Sequence, residues 1–165
     1  MISSLALLAT LSAPFSGWAE DARVPLPPAG AVVVHYAPCP EFPEEAGCAW
    51  PEQDGQPVHV FVLPSRDRSE DRRTFWHELG HAYDWTVLSD VQRAKLTLLM
   101  GMRGPWSKRP MEDQPAEAFG EAYRFCAMGA DRSRRAFRRE DASVEYGYAV
   151  TFRRQRGICR MLRSS

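Results

Sequence analysis

Two short runs along the chain carry the signature of strands. Ala31–Tyr36 (AVVVHY) is β-branched, Val58–Leu63 (VHVFVL) alternates apolar and polar side chains, and both are bounded by proline or glycine. The pattern then changes to a helical period. Phe75, Trp76, Leu79, Tyr83 and Leu88 recur at helical spacing behind Ser69, a helix-capping residue, with Glu70 and Asp71 in the first turn where carboxylates suit the dipole. This predicts a helix over about 70–88. Ser89 and Asp90 open a second, about 90–100, which Gly101 closes, and Pro115 at a first helical position opens a third over about 115–128. Residues 101–114, with two glycines and two prolines, read as loop, and 132–140 as a further helix. Periodicity assigns neither state to Ser143–Arg154, although its β-branched and aromatic content leans to strand. Two strands ahead of several helices make an α+β domain.

The first nineteen residues differ from the rest. They carry no charge, contain the apolar run Leu5–Leu11, and place Gly17 and Ala19 where a signal peptidase requires small side chains. Residues 1–19 are therefore expected to be a secretory signal, although they lack the usual positive start, and 20–165 a mature domain. The apolar run is too short to span a bilayer as a helix. Four cysteines, none in a C-x-x-C pair, agree with export to a secreted or periplasmic location. The expected pairs are Cys39–Cys48, closing a Pro/Glu-rich loop, and Cys126–Cys159, tying the C-terminal segment to a helix.

Charge changes the picture little. The 21 basic and 21 acidic side chains cancel, so a protein held to nucleic acid by its overall charge is not indicated. Locally they separate: Val24–Ser65 has five acids and no Lys or Arg, whereas ten arginines follow Asp131. A solvated basic surface accounts for the latter more simply than a docking surface for anions.

The chemistry lies in His77-Glu78-Leu79-Gly80-His81, an H-E-x-x-H inside a predicted helix. Residues four apart lie on one helical face, so both imidazoles can address one ion with Glu78 beside them. Two imidazoles and a carboxylate suit tetrahedral zinc and leave a position for water, which Glu78 would deprotonate as general base. No His follows at the metzincin spacing, where Asp84 replaces the required glycine. His35 and His59 lie in predicted strands and are weaker candidates than a carboxylate. The helix opened by Pro115 offers two, Glu117 and Glu121, one turn apart among Ala118, Phe119, Ala122 and Phe125. One can ligate the metal while the other orients a ligating histidine, or the pair can be exposed and bound to Arg124 or Arg132.

The strings WHELGHAYDW and AEAFGEAYR resemble the catalytic core of the anthrax-lethal-factor-like zinc peptidases, a gluzincin-type family. The resemblance covers about residues 75–83 and 115–124. It implies a small zincin-like fold with one Zn2+ held by His77, His81 and Glu117, Glu78 as general base and Glu121 in the outer shell. It also implies that Val58–Leu63 is the edge strand receiving an extended peptide. One departure is plain: the tyrosine that lethal factor carries seven residues before its glutamate ligand is Pro110 here. An oxyanion donor would then come from Tyr146, Tyr148, His59 or Arg109. Tyr83, Trp76 and Trp85 read as packing residues, Trp106 as a loop anchor or an exposed specificity element, and Asp84 is left open. The expected function is a secreted zinc-dependent metalloendopeptidase acting on peptide or protein substrates. The alternatives are a secreted zinc-binding module without peptidase activity, or an anion binder in which H-E-x-x-H is incidental.

Overall fold

A computed structural model of the chain describes residues 11–51, 56–107, 114–141 and 150–164. The fold is α+β, and it divides into two compact units. One comprises the chain up to Val87 apart from Arg23–Pro25; the other comprises Arg23–Pro25 and the chain from Leu88 onward.

The first unit contains helix α1 (Phe15–Glu20), strands β1 (Val32–His35), β2 (Gly47–Trp50) and β3 (Val58–Val62), and helix α2 (Arg68–Val87). The strands form one sheet in the order β1-β3-β2, with β3 parallel to β1 and antiparallel to β2. Val58–Leu63 is therefore the centre of the sheet and not the edge that the family resemblance implied. The reason is a neighbour that its own pattern does not reveal: β1 pairs with it on one side and β2 on the other, while the alternation of Val58, Val60 and Val62 sets only which face is buried. Of the two edge strands, β1 and β2, the second has no alternating pattern of its own; it lies in what reads as acidic loop and is tethered by Cys39–Cys48.

The β2 edge approaches α2 closely. A Cβ on Gly47 would collide with Thr74 Cγ2, lie 2.8 Å from the Phe61 carbonyl oxygen and 3.1 Å from Glu78 Cγ, so glycine is needed for this contact. Leu63 N–H donates to Ala46 O, and the register pairs Gly47 with Val62. Alternation along an antiparallel ladder then turns the N–H and C=O of Gly47 and Ala49 away from β3, toward the open edge.

Helix α2 begins two residues before its predicted start because Asp67, not Ser69, caps it. Asp67 Oδ1 accepts the Ser69 N–H at 2.8 Å and Oδ2 accepts its hydroxyl at 2.9 Å. These bonds hold the Asp67 carboxyl below its ordinary range. Asp71, in the first turn and buried, accepts hydrogen bonds from the Ser65 N–H and the Tyr36 hydroxyl, which fixes the helix start against the end of β1. On α1, Phe15 is fully buried, with ring contacts to Trp18, Tyr36 and Phe75 at 5.2–5.5 Å. Residues 1–10 of the segment read as a signal lie outside the described residues.

The second unit is helical: α3 (Asp90–Met100), α4 (Pro115–Ala127), α5 (Arg134–Asp141) and α6 (Phe152–Arg163). Ser89 and Gln92 form a capping box at the start of α3, and Gly101, at φ 75°, ends it. Cys126–Cys159 joins α4 to α6 across a sequence separation of 33, as expected. Gln155 fills the space beside that disulfide, its amide donating to Ala122 O at 3.0 Å. Most of the segment Ser143–Arg154 lies outside the described residues, but its last three residues already belong to α6, so helix and not strand follows Thr151. The outward faces of α5 and α6 carry exposed arginines, of which Arg163 is paired with Asp131 at 2.7 Å. No helix among the described residues is long and apolar enough to cross a membrane.

Candidate metal centre

Helix α2 has an unusual interior. From Phe75 to Asp84 every residue is buried, including His77, Glu78, His81 and Asp84. Burying so many polar groups on one helix is costly unless each is hydrogen-bonded or paired. The 3.6-residue period puts His77 and His81 on one face, and their Nε2 atoms stand 3.1 Å apart. Ligand atoms of His77, His81 and Glu117 all lie within 4.8 Å of one another, a group that can hold a metal ion.

The ring geometry supports a shared ion. The two planes are inclined by 73° with centroids only 4.9 Å apart, so the Nε2 atoms converge obliquely. Their separation is close to the edge of a tetrahedron with bonds of about 2.0–2.1 Å, which is about 3.3–3.4 Å for zinc–imidazole coordination. Two imidazole nitrogens and a carboxylate oxygen suit a divalent transition-metal ion, and the two imidazoles are nearly sealed from water.

The second histidine pair serves as a contrast. His35 Nε2 lies 2.8 Å from His59 Nδ1, the rings are inclined by only 10°, and the centroids are 5.0 Å apart. That separation means edge-to-edge rings in one plane, with the nitrogens in line. One imidazole donates to the other, and the lone pairs do not converge on a third point.

Burial, and then the charge of His59, lowers the His35 pKa from its ordinary 6.5. The unfolded chain then binds this proton more readily than the folded one. The associated stability is fully present above pH 6.5 and is lost as pH falls toward the lower folded-state value. Between about pH 7 and pH 5 the thermal midpoint of the wild type should fall more steeply than that of His35→Phe. Parallel slopes would contradict the assignment.

Glu78 stands beside His77 and is 9% exposed, with its Cγ close to the Gly47 backbone of the sheet edge. Glu121, one turn after Glu117, is bound by Arg124 through Nε at 3.0 Å and Nη2 at 2.7 Å, and Arg124 Nη1 reaches Glu140 at 3.1 Å. Of the partners weighed for Glu121, Arg124 is thus one it has. Tyr83 is a core residue, as read, and burial raises its pKa. Trp106 is a loop anchor: its ring packs on Phe119 at 5.7 Å and its carbonyl accepts the Ala116 N–H. Pro110 and three of the oxyanion candidates, Tyr146, Tyr148 and Arg109, lie outside the described residues.

Trp85 is the residue that sequence reading misplaced. Assigned to packing, it is 40% exposed, with its ring 5.9 Å from that of His81 and inclined by 25°. The signal was available in the spacing, since a residue four positions after His81 shares its helical face. Comparison with known protein families, curated proteins and solved structures gives no match.

Proposed function

We propose that the chain is a zinc-dependent metalloendopeptidase of the glutamate-ligand type, similar to the lethal-factor-like peptidases, with His77, His81 and Glu117 as the zinc ligands. The observation that carries this reading is the convergence of the three donors within 4.8 Å, with a buried carboxylate one residue from the first. When bound, zinc acidifies water and polarises the peptide carbonyl. Glu78 takes the proton of the attacking water and passes it to the departing amide nitrogen. Gly47 and Ala49 offer outward N–H and C=O groups beside Glu78, so an extended peptide adds to the β2 edge. Two disulfides favour an exported location.

Retention of a buried glutamate favours this over a metal site without catalysis, because structural zinc requires no general base. Purified protein should cleave an unfolded protein substrate, lose that activity on chelation and recover it with added zinc. Tight zinc binding without cleavage would establish the inactive module instead.

A further inference from the structure

The balanced charge of the chain divides between the two units: the second has 17 basic side chains against nine acidic, the first four against 12. Much of the excess lies on α5 and α6, where every exposed side chain described is an arginine. In α6, Arg153, Arg156 and Arg160 fall within a sector of about 60° at 3.6 residues per turn, opposite the buried Ile158 and Leu162. In α5, Arg134, Arg135 and Arg138 are exposed while Phe137 is buried. Other arginines of this unit have carboxylate partners, Arg124 with Glu121 and Glu140, and Arg163 with Asp131. Among the described residues, no carboxylate is bonded to any of the six. A solvated face needs charge but not charge of a single sign, which repels itself and favours a bound anion.

The chemistry of the face narrows the partner. A planar guanidinium holds phosphate through paired hydrogen bonds. Neither helix exposes an aromatic ring to stack a base or an amide to read one, so the face addresses phosphate alone. Phe137 of α5 packs on Phe152 of α6 with ring centroids 5.7 Å apart, and the apolar faces are consumed inside the unit, leaving none to insert into lipid. The two disulfides favour an exported location, where the standing phosphate surface is a membrane.

We infer that the arginine faces of α5 and α6 dock the protein on an anionic lipid bilayer, through headgroup phosphates and without insertion. The inference stands apart from the hydrolase reading, because neither helix supplies a residue to the metal centre. Co-sedimentation of the full chain with vesicles tests it. Vesicles of equal parts phosphatidylglycerol and phosphatidylcholine should bind the protein, and vesicles of phosphatidylcholine alone should not. Binding should fall steeply as NaCl rises from about 0.05 to about 0.5 M, because the contact is one of exposed charges. An arginine near an anionic leaflet contributes about fivefold to binding, so replacing Arg153, Arg156 and Arg160 together by glutamine should weaken it by about a hundredfold. The same change at Arg134, Arg135 and Arg138 should act alike, whereas Arg66→Gln with Arg68→Gln, on the first unit, should leave binding unchanged. All of these side chains are exposed, so the variants should melt with the wild type. Equal binding to the two kinds of vesicle, salt-insensitive binding by the wild type, or wild-type binding by both glutamine triples would overturn the inference. A DNA duplex that strips the protein from the vesicles at equal phosphate concentration would overturn it too, and would assign the face to nucleic acid.

Discussion

Glu78→Gln should bind zinc as the wild type does and lose peptide hydrolysis by about a hundred- to ten-thousand-fold, the usual contribution of a positioned general base. The substitution is nearly isosteric, and Glu78 is not among the three converging donors, so the ligand set stays intact. What it removes is the proton acceptor. The effect should appear in kcat and leave KM little changed, because the glutamate meets the water and not the bulk of the peptide. Steady-state kinetics with metal analysis on the same preparations checks this. Wild-type turnover by the glutamine variant would remove Glu78 from the reaction.

The second large effect lies away from the reacting atoms. Arg124 is 2% exposed and lies between Glu121 and Glu140, themselves 6% and 5% exposed. Replacing it with methionine leaves two buried carboxylates without their guanidinium, and removing one partner of such a cluster typically costs about 3–5 kcal/mol. Urea denaturation should show the loss. Adding Glu121→Gln and Glu140→Gln should restore much of the stability at neutral pH. A destabilisation below about 1 kcal/mol, the range of exposed ion pairs, would show that the buried network contributes little.

What could be read from the sequence was whatever local chemistry determines. The H-E-x-x-H spacing, the Glu117/Glu121 pair behind Pro115, the Ser89 and Gly101 boundaries of α3 and both disulfide pairings are each set by residues close in sequence or by few alternatives. What escaped depended on partners far along the chain. Strand β2 owes its existence to pairing with Phe61 and Val62 and to the Cys39 tether, so GCAW carries no strand signal alone. The central place of Val58–Val62 follows from that unseen neighbour. Ser69 outranks Asp67 as a cap only until Asp67 is seen holding the Ser69 N–H. Trp85 was misplaced because an aromatic residue on a mostly buried helix suggests core, whereas at the last turn the helix emerges from its packing.

The most direct measurement of the central claim is zinc content and affinity, by metal analysis and competition with a chromophoric chelator, for the wild type, His77→Ala and Glu117→Ala. One zinc per wild-type chain is expected, with binding lost in His77→Ala and weakened at least about a hundredfold in Glu117→Ala, more than a second-shell change causes. Wild-type affinity in Glu117→Ala would contradict the three-ligand centre.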